Sequence, residues 1–181
     1  MKKILLIFIT IILFFSCSGQ VIDKLKICDV KFESITGYDN VDSANIYCIL
    51  GDKIFNSSRV DNCDSIIKDW LSKHFNAKIT IVSTYGPVTT APNSKMTYCW
   101  IIDENDTLNI SLVKQGCFPS ETMRRPLTWD EMDKKEKDSY SEKPDIKLYI
   151  SDNDYNIFIR RILDAEKFAK DNKLGIWNRR H

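Results

Sequence analysis

Three observations predict an α+β fold. Apolar residues alternate with polar ones over several short segments, that period gives way to helical spacing at residues 64–74, and a long amphipathic helix comes near the C-terminus. Five or so short strands closing on themselves, with about three helices, would make a small β-barrel of the OB type. A short apolar N-terminal segment precedes this domain.

The first sixteen residues, MKKILLIFITIILFFS, have the layout of a secretory signal peptide. Lys2 and Lys3 are followed by an apolar run from Ile4 to Phe15 and a small residue, Ser16. That run is short of the roughly 20 apolar residues that a spanning helix needs. Leu13-Phe14-Phe15-Ser16-Cys17 resembles the bacterial lipobox. The resemblance implies cleavage before Cys17, acylation of its thiol (a palmitate-type anchor) and attachment to a lipid membrane. Acyl chains contribute about 0.8 kcal/mol per buried methylene, so tethering needs no transmembrane helix. Ser18, where an Asp would signal inner-membrane retention, points to an outer membrane or the cell surface. Residues 17–25 then form the lipidated cysteine and tether, and residues 26–177 the domain.

Cleavage removes two lysines and no acids, leaving 24 basic against 25 acidic residues. A near-neutral chain lacks the overall basic footprint of a dedicated nucleic-acid binder, although a local basic groove is compatible with it. Beyond Cys17 stand Cys28, Cys48, Cys63, Cys99 and Cys117. Five cysteines allow at most two disulfides in an exported chain, or serve as buried thiols. No CxxC or cysteine–histidine spacing suggests zinc.

Cys28, Val30 and Phe32 share one side of a strand predicted over Lys26–Ser34, and residues 44–50, ANIYCIL, form a second. Gly51-Asp52 reads as a hairpin turn into KIFNS. Ile66, Ile67, Trp70, Leu71 and His74 recur at helical spacing behind the capping candidates Asp61, Asn62 and Asp64, so a helix is expected from about Asp64 to His74. His74 falls at the surface or core edge of that helix. Lys78–Val82 and Met96–Ile102 are strands, with a break at Tyr85-Gly86-Pro87 between them and a turn at residues 103–106 after the second. Leu108–Gln115 reads as a short strand passing into a helical turn, stopped by a left-handed Gly116. Residues 118–150 carry three prolines and the mixed-charge run DEMDKKEKDSY, expected as a solvated helix or loop. Ser151 and Asp154 resemble a capping box for a final helix, with Tyr155, Phe158, Ile159, Ile162, Ala165, Glu166 and Ala169 along one face. That helix should stop near Leu174-Gly175, with Ile176 and Trp177 docking.

Two segments carry a family resemblance. EKFAKDNKLGIW (Glu166 to Trp177) resembles the ending of staphylococcal-nuclease-like domains, and LNISLVKQGC (Leu108 to Cys117) resembles that family's NxxLVxxG helix. Their separation is longer than the family's, which implies an insertion at about 118–150. The resemblance implies an OB barrel with three helices. It also implies a calcium-dependent phosphodiesterase site, for which the residues here align as follows. Asp42 and Asp61 fall on the calcium-binding carboxylates, and Asp64 on the family's catalytic Glu. Asn56 falls on the first phosphate-clamping Arg, with Arg59 three residues away, and Lys95 falls near the second.

An Asn, or a flexible Lys, lacks the planar bidentate grip of Arg on phosphate. Losing one such contact costs roughly 2–4 kcal/mol of transition-state stabilisation. Asp64 is also one methylene short. Two readings therefore stand side by side. One is a tethered lipoprotein that keeps the nuclease fold as a binding or scaffolding module with weak or no catalysis. The other is an active calcium-dependent nuclease using Asp42, Asp61, Asp64, Arg59 and Lys95 on nucleic acid.

Overall fold

The computed structural model describes residues 25–40, 44–51, 59–88 and 92–178. The signal peptide, Cys17, Asp42, Asn56 and the segment KIFNS lie outside them. The chain runs through β1 (Leu25–Lys26), β2 (Val30–Phe32), β3 (Thr36–Asp39), β4 (Asn45–Cys48), α1 (Cys63–Lys73), β5 (Lys78–Gly86), β6 (Lys95–Asp103) and β7 (Asp106–Thr107). Then come α2 (Leu108–Lys114), α3 (Lys134–Asp138), β8 (Asp145–Leu148) and α4 (Asp152–Asp171). The sheet order is β1-β5-β6-β4-β3-β2, with β7 on β6 and β8 on β5.

The order explains the shape. β1 and β2 stand at the two ends of the sheet, yet only the 3-10 turn Ile27–Asp29 separates them in the chain. One bent segment therefore brings both edges together and nearly closes the barrel, giving an OB-type α+β fold. β5 bends as well: a bulge between Ile81 and Ser83 interrupts its register with β6. The outer edge of β5 is shared, β1 pairing at Lys78–Ile79 and β8 at residues 83–86. Bulges at such corners add the local bend that closure requires. The interior is filled by Val30, Tyr47, Ile49, Ile79, Val82, Ile101, Leu112 and Phe118, all buried.

Several sequence expectations change here. The strand predicted over Lys26–Ser34 is broken at residues 27–29, where the Asp29 carboxylate accepts the Lys26 N–H (2.9 Å). Cys28 consequently faces solvent while Val30 and Phe32 stay inside. β3, unforeseen, forms because β2 and β4 flank it. β5 continues past Val82 to Gly86. Leu108 begins a helix directly, and the short strand lies just before it at Asp106–Thr107. Residues 118–150 hold a 3-10 turn at Ser120–Met123, α3 and β8. At the start of α4, Ser151 Oγ accepts the Asp154 N–H and donates to its carboxylate, so the cap forms without the full box.

The two family-like segments meet. Asn109, fully buried on α2, donates through Nδ2 to the carbonyls of Ile49 (2.7 Å) and Cys99 (3.2 Å) and accepts the Ile101 N–H (3.1 Å). The parallel pairing of β4 with β6 ends at Cys48 and Tyr98. Beyond that point the Asn109 amide takes the place of a strand neighbour for β6. At the far end of α2, Gly116 (φ 72°) lies against Leu174 and Gly175 (φ 51°). A Cβ on Gly116 would sit 2.3 Å from the Leu174 carbonyl oxygen, and one on Gly175 would sit 2.1 Å from that of Gly116. The Ile176 N–H donates to the Gly116 carbonyl across this joint (2.9 Å). Both positions therefore need glycine for conformation and for space.

Candidate functional site

Of the residues singled out in the sequence, Arg59, Asp61, Asp64 and Lys95 can be placed. Arg59 and Asp61 are exposed in the coil and turn leading into α1, and Asp64 lies in its first turn. Carboxylates there favour the positive end of the helix, a local reason for both acids. The Asn62 side chain, at the N-cap, makes no capping hydrogen bond. Asp64 Oδ1 is buried with no hydrogen-bond partner. Arg59 is near enough to Cys63 to act on its thiol electrostatically. Lys95 opens β6 on a different element, its N–H bonded to the Ala44 carbonyl. Arg59, Asp61 and Asp64 thus share one helix start, while Lys95 comes from the first residue of β6. No ion pair joins any two of these four side chains among the described residues.

Calcium takes six to eight oxygen ligands. Among the described residues no group of three or more His, Cys, Asp or Glu could hold a metal. The calcium pair that the resemblance implies is Asp42 with Asp61, and Asp42 lies outside the described residues.

A cluster that periodicity does not reveal lies at the other end of α1. His74 Nδ1 is 2.9 Å from Asp103 Oδ2, and its Nε2 is 3.6 Å from Asp106 Oδ2. Its ring stacks on Trp70 at 3.9 Å, and the Trp70 indole donates to the same Asp106 oxygen (3.1 Å). Both imidazole nitrogens face carboxylates, so the group acts as a clamp from α1 onto the β6–β7 turn. A surface cleft of about 390 Å³ borders Asp103, lined also by Asn76, Lys78, Thr80, Ile102 and Glu104.

The second cluster is built by residues 118–150. Arg125 (side chain 7% exposed) makes a two-pronged pair with Glu131, both bonds 2.8 Å, and lies 5.0 Å over the Tyr155 ring of α4. Thr128 donates to Glu131 through its N–H and its hydroxyl. The Arg125 hydrogen bonds, foremost, hold the Glu131 carboxyl at about 2 and raise the Arg125 guanidinium. Through Tyr155 this network pins the segment to α4. The capping box of Asp133 and Glu136 then orients α3. Outward of these lie three rings: Trp129 and Tyr140 at 6.4 Å, and Tyr140 and Tyr85 at 6.4 Å. Lys137 and Lys143 hold their ammonium groups 5.7 and 6.0 Å over Trp129. The surface offers aromatic faces and positive charge side by side, the combination that accepts anionic or base-bearing ligands.

A scan against protein-family models and a search of curated proteins returned no match to the chain. Among the described residues no helix is long and apolar enough to cross a membrane.

Proposed function

We propose that this chain is a membrane-tethered lipoprotein whose staphylococcal-nuclease-like barrel is a binding module with weak or no catalysis. The observation that carries the reading is the surface of Trp129, Tyr140 and Tyr85, with Lys137 and Lys143 over Trp129. The division of labour among the recognisable residues supports it. Asn109, Gly116 and Gly175 hold backbone to backbone, whereas Lys95 stands on a different element from Asp61 and Asp64. Nucleic acid is the ligand class that the family resemblance suggests.

The test is binding of labelled single-stranded oligonucleotides to the full chain in mild detergent, across a salt series. Two lysine contacts predict a slope of log affinity on log salt of about −1.4. Trp129→Ala should weaken binding about tenfold or more, as loss of one stacked base does. Equal binding by Trp129→Ala and wild type would remove this surface from the account.

The second reading is a calcium-dependent nuclease that retains activity. It is favoured by the buried, unpartnered Asp64 Oδ1, and it requires Asp42 to join Asp61.

A further inference from the structure

The edge at which the chain enters the barrel carries charge and apolar surface that the fold does not use. Lys26 of β1 stands directly opposite Lys78 of β5, and the next pair in register is Leu25 with the buried Ile79. Side chains alternate along a strand, so both ammonium groups leave the sheet together on its outer face. Like charges directly opposite one another destabilise a strand pair. Among the described residues neither lysine has an ion-pair partner. Most acids of the flanking segments are engaged elsewhere. Asp29 accepts the Lys26 N–H, Asp69 pairs with Lys73, and Asp103 and Asp106 hold His74 and Trp70. Glu104, exposed, lines the same cleft as Lys78.

The turn Phe75-Asn76, between α1 and β5, adjoins this pair, since the Ile27 N–H donates to the Ala77 carbonyl (3.1 Å). Phe75 is 75% exposed, more than any other large apolar side chain among the described residues. One exposed ring alone carries no meaning. Here it stands beside two lysines that lack ion partners, on the strand pair where the tether arrives.

We propose that this edge, Phe75 with Lys26 and Lys78, docks on the anionic face of the lipid bilayer that holds Cys17. The docking rests on acylation of Cys17, as proposed for the chain as a whole. Leu25 follows Cys17 by eight positions, a reach of at most about 28 Å even when fully extended. β1 is thereby held within that distance of the bilayer. Lipid phosphates supply the anions that the opposed lysines lack, and each basic residue at an anionic surface multiplies affinity about fivefold. The Phe75 ring enters the headgroup boundary, where aromatic side chains are favoured.

The orientation suits the binding surface. Tyr85 lies seven residues along β5 from Lys78, roughly 23 Å at the rise of a strand. Docking at the Lys78 end leaves Tyr85, Tyr140 and Trp129 at the other end, open to solution. That surface is also basic and aromatic, so it is the rival contact for the bilayer.

The experiment places the full acylated chain in vesicles of equal parts phosphatidylcholine and phosphatidylglycerol. A fluorophore is attached at Asn76→Cys, which keeps Phe75, or at Lys135→Cys on α3, each combined with Cys28→Ser. Lipids bearing a nitroxide on the headgroup quench whichever dye lies at the membrane. Strong quenching at position 76 and weak quenching at position 135 is the expected result. Phe75→Ser should reduce the quenching at 76. Lys26→Gln with Lys78→Gln should shift the docked–undocked equilibrium about 25-fold toward the free domain. Acylation of Cys17 is read separately, by mass spectrometry. A chain without acyl groups overturns the tether, and the proposal with it. An acylated chain with equal quenching at the two positions overturns the docked edge alone. Stronger quenching at 135 overturns it as well and assigns the membrane contact to the Trp129 surface.

Discussion

Replacing Asn109 with alanine tests how the barrel is held where β4 leaves it. The wild-type amide is 1% exposed and satisfies three backbone groups at once. Alanine leaves the Ile49 and Cys99 carbonyls and the Ile101 N–H without that partner, in a site closed to water. A net hydrogen bond is worth about 0.5–1.5 kcal/mol, and an orphaned buried group costs about 1–3 kcal/mol. Some of the three groups can relax toward neighbours, so a loss of roughly 3–5 kcal/mol is expected. That is a large share of the 5–15 kcal/mol typical of a domain. Asn109→Asp should lose at least as much. It keeps the acceptor for Ile101 but turns an oxygen toward two carbonyls. The assay is urea unfolding followed by fluorescence of the four tryptophans. A loss below about 1 kcal/mol for Asn109→Ala would refute the bridging role.

Further outcomes follow from the same structure. Gly116→Ala and Gly175→Ala should each cost about 2–4 kcal/mol, because each adds a strained left-handed residue and a Cβ aimed at a carbonyl across the joint. The double variant should lose clearly less than the sum, since one displaced contact serves both; full additivity would mean the two glycines do not share a joint. Glu131 is held at about 2 against an ordinary 4.5, so the folded state binds its proton later than the unfolded one. Its stabilisation is complete above about pH 5 and fades as pH falls toward 2. With the carboxylate 42% exposed, screening leaves roughly 1–2 kcal/mol. Acid titrations of stability should show this fade in the wild type and not in Glu131→Gln.

The legible parts of the fold were those where local pattern and tertiary demand agree. α4 carries its period over 20 residues, and α1 falls within a residue of its expected limits because Ile67 and Trp70 face the core. Gly116 was readable as a left-handed stop, and its φ of 72° agrees. β3 was not readable. Thr-Gly-Tyr-Asp has little strand character, and it is a strand because two neighbours supply its hydrogen bonds. The break at Ile27–Asp29 was hidden by apolar alternation through Cys28, since a carboxylate closing a turn leaves no periodic trace.

Sites were harder to read for the same reason. Trp70 and His74 fit a helical face, so their partners Asp106 and Asp103, 36 and 29 positions on, had no spacing to reveal them. Arg125 and Glu131 pair across six positions of irregular chain, outside any helix or strand rule. The segments that resemble a nuclease are those that build its frame. Asp61 and Asp64 have a sufficient reason to be acidic in the helix they begin, whatever else they do.

The most direct test incubates the folded full chain with single- and double-stranded DNA and RNA, with calcium or magnesium, beside Asp61→Ala. The account predicts weak or no cleavage, with no difference between the two proteins, while oligonucleotide binding persists. Efficient metal-dependent cleavage that disappears in Asp61→Ala would contradict it and establish a working nuclease.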